Sequence, residues 1–111
     1  VEMYIANYSG TEFVNTSSAT EYAIMSNYPN PFNPSTTVSY ELFTEGFVNL
    51  SVYNVVGQEV ASLVNGVVGI GQHSAVWNGL DASGNEVGSG VYILQLHTQN
   101  EIISSKITLL R

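Results

Sequence analysis

From Val91 to His97 the chain alternates without a break, with Tyr92, Leu94 and Leu96 on one parity and Val91, Ile93, Gln95 and His97 on the other. A period of two marks an extended strand with one buried face, because successive side chains point to opposite sides. The face with more bulk, that of Tyr92, is the expected core face. Thr37 to Phe43 repeats the pattern, Val38, Tyr40 and Leu42 against Thr37, Ser39 and Glu41. Phe47 to Val55 repeats it again, Val48, Leu50 and Val52 against Phe47, Asn49, Ser51 and Tyr53. With Glu45-Gly46 between them, these two runs read as an antiparallel hairpin. A further strand is expected over Glu59 to Val64, then a loose loop through Asn65-Gly66 and Gly69 to Gly71. His73, Ala75 and Trp77 alternate with Ser74 and Val76, and Ile103, Ile107 and Leu109 with Ile102, Ser104, Lys106 and Thr108. No stretch keeps a 3.6-residue period over three turns. About seven short strands separated by turn residues predict an all-β antiparallel sandwich.

Trp77 is the single tryptophan and the expected core anchor, with Phe32, Tyr53 and Tyr92 as further anchors. Asn78-Gly79 supplies residues that tolerate positive φ, and Asp81 to Gly84 has the Asp-first, Gly-fourth pattern of a β-turn, so the chain reverses twice here. Pro29, Pro31 and Pro34 bar the residues before them from the helical region and keep Tyr28 to Pro34 out of any central strand. Phe32, held between prolines, is placed to plug one end of the sandwich. At the amino terminus Val1, Met3 and Ile5 share one parity and Tyr4, Ala6 and Tyr8 the other. A strand apolar on both faces needs cover on both. It reads as an edge strand, as the tail of a preceding domain, or as a strand donated to another subunit's sheet through Val1, Met3, Tyr4, Ile5 and Tyr8. The Ser/Thr-rich run from Thr16 to Ser26 reads as a linker. The chain thus divides into residues 1–26, an extra strand and its linker, and residues 27–111, one domain.

Charged residues make up 10% of the chain, against roughly 25% in ordinary soluble domains. Ser, Thr, Asn and Gly must cover the surface instead, a chemistry shared with extracellular adhesive and fibrous β proteins. Two basic residues, Lys106 and Arg111, against nine acidic ones leave a formal net charge of −7. Nothing there neutralises a phosphate backbone or an anionic bilayer, so nucleic acid is excluded as a partner. The apolar runs are too short to span a bilayer as helices. The absence of cysteine removes disulfides and thiolate metal sites.

Catalytic constellations are missing as well. His73 and His97 fall on separate expected strands without a nucleophile at a useful spacing. Glu41, Glu45, Glu59 and Glu86 read as exposed strand and turn carboxylates rather than an acid/base pair. Asp81, Ser83 and Asn85 match the alternating oxygen ligands of a calcium loop. The match ends at Glu86, where the loop needs glycine, and at Tyr92, where it needs a bidentate glutamate. Asp81 is therefore expected to cap its turn, and no cofactor or metal is expected. A non-enzyme is the resulting expectation.

Several ordered motifs together resemble the carboxyl-terminal sorting domain of the bacterial type IX secretion system. They are Asn30-Pro-Phe-Asn-Pro34, Val52-Tyr-Asn-Val-Val-Gly-Gln-Glu-Val60, Trp77-Asn-Gly-Leu-Asp81, Gly84, Gly90-Val-Tyr92 and Lys106-Ile-Thr-Leu-Leu-Arg111. That domain is similar in turn to the immunoglobulin-like domain of the flagellar hook-capping protein. The resemblance runs from about Asn27 to Arg111. It implies an immunoglobulin-like sandwich on a secreted protein, extracellular or on the cell surface, read by outer-membrane secretion machinery or attached to surface lipopolysaccharide. It further implies that Gly90, Tyr92, Lys106, Leu109 and Arg111 carry the sorting signal. Asn78 departs from the acidic residue frequent after the tryptophan, and surface basic residues are nearly absent. Three functions follow: a sorting and attachment module, a subunit of an extracellular filament built by donation of the amino-terminal strand, and an assembly scaffold like the hook cap.

Overall fold

Each alternating run becomes a strand that turns its apolar parity inward. A computed structural model describes residues 23–111; the expected donor-strand residues Val1, Met3, Tyr4, Ile5 and Tyr8, and the linker up to residue 22, lie outside the described residues. The strands are β1 (Ile24–Tyr28), β2 (Thr36–Leu42), β3 (Gly46–Tyr53), β4 (Glu59–Val68), β5 (Gly71–Trp77), β6 (Gly90–His97) and β7 (Ile102–Leu109). They form two antiparallel sheets of order β1-β2-β5 and β4-β3-β6-β7, and no helix occurs among the described residues. The sandwich is all-β and immunoglobulin-like, as expected.

Val38, Tyr40 and Leu42 of β2 face Val48, Leu50 and Val52 of β3, Leu94 and Leu96 of β6, and Ile107 and Leu109 of β7 across a continuous buried core. Burying each such side chain is worth roughly 1.5–3 kcal/mol. A one-residue slip in β6 would exchange Leu94 and Leu96 for Ile93 and Gln95, so the alternation determines the register.

Four expectations need correction. β2 and β3 are not a hairpin: they belong to opposite sheets, β2 pairing with β1 and β5, and β3 with β4 and β6. Alternation identifies the buried face of a strand, and two strands facing one core from opposite layers alternate just as a hairpin does. β4 runs on to Val68, through the expected loop at Asn65-Gly66, because Asn49 and Val48 of β3 pair with these two residues. β1 begins at Ile24, inside the expected linker, and its register with β2 runs from Ile24 opposite Glu41 to Tyr28 opposite Thr37. Tyr53 is not a core anchor; it is half-buried on the outer parity of β3, where the sandwich offers no facing layer.

The registers also give the molecule a direction. Ala23 lies beside the loops Phe43–Gly46 and Thr98–Asn100, its N–H donating to Glu101 Oε1 at 3.1 Å; this is the lower end. Trp77, Gly90 and Leu109 sit at the upper end. Ala23 and Leu109 thus lie at opposite ends of the body.

Candidate functional site

The upper end is built on three rings. Trp77, 1% exposed, closes β5 and satisfies its single polar atom by donating from Nε1 to Leu80 O at 2.9 Å. Phe32 and Tyr92 flank it at centroid separations of 5.5 and 5.3 Å, the latter edge-on, a geometry aromatic quadrupoles favour. The Tyr92 hydroxyl donates to Gly88 O at 2.7 Å. Phe32 reaches the cluster on the proline segment, which lies along the outer edge of β7. Phe32 N–H donates to Thr108 O, Leu110 N–H donates to Phe32 O, both at 2.9 Å, and Asn30 imitates a strand residue with its side chain. Its Nδ2 donates to Lys106 O at 3.2 Å and its Oδ1 accepts from Thr108 N–H at 3.1 Å. The upper half of an otherwise open strand edge is thereby closed, where an unpaired ladder invites unwanted pairing.

The loop between β5 and β6 folds on itself before it meets the chain's last residue. Asp81 Oδ1 accepts from the N–H groups of Ser83 and Asn85 at 2.9 and 3.0 Å, and Gly84 N–H closes the β-turn on Asp81 O at 3.0 Å. The Asp81 carboxylate is used as a turn cap. Val87 N–H donates to Gly79 O at 3.0 Å, and two loop carbonyls face Arg111. Its Nε donates to Val87 O at 2.7 Å and its Nη2 to Gly79 O at 2.6 Å. Its backbone N–H donates to Ser89 Oγ at 2.9 Å. Glu86, 3.7 Å from Nη1 and mostly exposed, adds an ion pair of the weak surface kind. Gly79 is required here twice over: its φ is +75°, and a Cβ would stand 2.6 Å from Arg111 Nη2 and 3.1 Å from Pro34 O.

Of the residues expected to carry a sorting signal, Gly90 and Leu109 are direct register partners, Tyr92 lies opposite Ile107, and Arg111 docks on the loop that Tyr92 holds. Lys106 stands opposite Ile93 and projects from the exposed outer parity of β7. Asn30, Gly79 and Val87 were invisible as parts of this site, since their partners lie 76, 32 and 24 residues away. The histidines do not converge. His73 stacks on Tyr40 at 5.4 Å with Nε2 2.8 Å from Gly69 O; His97 Nε2 lies 2.9 Å from Gln95 Oε1. Burial pushes the Tyr40 phenol up. It also pushes the Glu101 carboxyl up, against the opposing pull of the Ala23 N–H.

The surface is polarised along the same axis. Exposed apolar side chains gather at the upper end, Tyr28, Val55, Val56, Val76, Val91 and Leu110, and at the lower, Ile24, Phe43, Phe47, Val67, Ile70 and Ile102. Between them the outer faces are polar. One sheet carries the register row Ser26, Ser39, Ser74, and the other Ser62, Gln95 and Ser104 around a buried Ser51.

Solved structures with this fold include a dimeric latent PorU from Porphyromonas gingivalis, 18% identical over 79% of this chain with a TM-score of 0.65. PorZ, an essential surface component of the type IX secretion system of the same organism, is 19% identical over 78% of the chain with a TM-score of 0.56. FlgD from Xanthomonas campestris, involved in flagellar hook capping, is 22% identical over 81% of the chain with a TM-score of 0.53. The chain spans 9% of that PorU chain, 11% of PorZ and 69% of FlgD. No curated protein matches the sequence. The family model for the FlgD Ig-like domain matches residues 35–101, β2 through the turn before β7. That match covers more than half of the sequence, and the chain belongs to the FlgD Ig-like domain family.

Proposed function

We propose that this domain is a non-catalytic export and attachment module, extracellular or on the cell surface, whose last strand is the element recognised by outer-membrane secretion machinery or held on surface lipopolysaccharide. The supporting observation is the clustering of Gly90, Tyr92, Leu109 and Arg111 at one end, with Lys106 projecting beside them. The likeness in fold to PorZ supports the same reading. Removing residues 107–111 would be a poor test, because it deletes the buried Ile107 and Leu109 and unfolds the sandwich. Lys106→Ala is better: the side chain is exposed and the backbone pairing stays. Fused behind a cargo in a type IX organism, the Lys106→Ala domain should fold normally and leave the cargo in the periplasm. Normal export of that cargo overturns the reading.

A second reading, a subunit of an extracellular filament built by strand donation, is favoured by the two apolar ends and the serine-lined waist. Such a surface suits head-to-tail contact between copies. Negative-stain imaging of the intact chain beside one lacking residues 1–15 tests it; equal assembly rejects strand donation.

A further inference from the structure

β4 and β5 are the edge strands of the two sheets on the same side of the sandwich, joined by the two residues Gly69-Ile70 and not hydrogen-bonded to each other. Between them runs a seam that no other described strand covers. Of the half-buried apolar side chains packed against the core, Val60, Leu63, Val64 and Val68 come from β4 and Ala75 from β5. Two register shifts in the β3–β4 pairing, at Leu50/Ser51 and at Val52/Tyr53, set Leu63 and Val60 out of the regular ladder. Both ends of the seam are closed. At the top Ala82 N–H donates to Val60 O at 3.1 Å, and at the bottom His73 Nε2 meets Gly69 O. What lies between, from His73 to Trp77 along β5, is a slot of roughly 16 Å. It has an apolar floor and a strand edge on each side.

We infer that this seam is the acceptor for residues Val1–Tyr8 of a second copy of the chain, an inference that rests on the filament reading above. Eight extended residues span roughly 26 Å, enough to run the length of the slot and overlap its ends. The edge of β4 or β5, unpaired among the described residues, supplies main-chain partners, and Leu63, Val64 and Ala75 receive alternate side chains of the incoming strand. The segment's composition selects a second copy over its own body. Val1, Met3 and Ile5 on one parity and Tyr4, Ala6 and Tyr8 on the other require cover on both faces. A seam on an isolated domain covers one face; a neighbour packed alongside covers the other.

The chain has no cysteine, so single cysteines report the contact directly. Full-length Met3→Cys is mixed with full-length Leu63→Cys under mild oxidation, and non-reducing electrophoresis should show a heterodimer band that Lys106→Cys in place of Leu63→Cys does not give. A synthetic peptide of residues 1–15 should bind the protein lacking those residues, and about tenfold less well once Ala75→Phe fills the slot. Retained Trp77 fluorescence and far-ultraviolet spectrum show that each variant is folded. A disulfide formed only within one chain carrying both Met3→Cys and Leu63→Cys overturns the inference, as does peptide binding indifferent to Ala75→Phe. Polymers that form as well with Ala75→Phe remove the seam while leaving the filament reading; a full-length chain that never polymerises and gives no heterodimer band removes both.

Discussion

Replacing Arg111 with alanine removes two guanidinium–carbonyl bonds and an ion pair, and the structure ranks their weights. The bond to Gly79 O is partly buried and that to Val87 O is exposed; together they are worth about 2 kcal/mol. The contact with Glu86, at 3.7 Å with the carboxylate mostly in water, is worth about 0.5 kcal/mol. Gly79 O keeps Val87 N–H as a donor after the substitution, so no acceptor is orphaned and the loss stays near that sum. Arg111→Ala should therefore lower the melting temperature by roughly 10–20 °C for a domain of this size. Arg111→Lys should recover less than half, because an ammonium cannot span two carbonyls as the planar fork does. Glu86→Gln should cost little. Urea titrations followed by Trp77 fluorescence, repeated in 1 M NaCl, provide the assay; salt should leave the Arg111→Ala difference nearly unchanged, since ion pairing is the minor part. If Glu86→Gln destabilised as much as Arg111→Ala, or salt erased the difference, the assignment of the clamp to backbone carbonyls would be wrong.

Gly79→Ala should cost about 2–4 kcal/mol by combining positive-φ strain with displacement of the guanidinium. Gly57→Ala, at φ +88° in open space, should cost about 1–2 kcal/mol; paired denaturation curves compare them, and equal costs would refute the close-approach argument. Glu101 titrates above its ordinary value of 4.5 because burial disfavours its charged form. The folded state then binds the proton more tightly than the unfolded chain, so stability falls as pH rises through the interval above 4.5. Glu101→Gln keeps an acceptor for Ala23 N–H and should flatten that fall, gaining on the wild type at neutral pH and matching it in acid; an unchanged pH profile would refute the cause assigned.

Much of the sandwich was legible in the residues themselves. Period-two alternation identified the buried faces of β2, β3, β5, β6 and β7, because which parity is apolar is a local property of the chain. The Asn78-Gly79 reversal and the Asp81 turn were legible for the same reason: a glycine at positive φ and a side-chain turn cap are local properties too. Which strand pairs with which was not, and the β2–β3 hairpin was misread because an antiparallel partner and a facing layer demand the same alternation. Likewise Tyr53 carries a core-type side chain on a parity that only the sheet assignment shows to be outside. Of the upper-end site, Trp77, Tyr92 and Phe32 announced themselves as bulky residues among turns and prolines. The docking of Arg111 on two carbonyls and the pairing of Asn30 with the edge of β7 did not. Backbone acceptors have no residue type to recognise, and bonds that span 24 to 78 residues of chain come into being only when the two layers close and bring the first loop, the tryptophan loop and the last strand to one end.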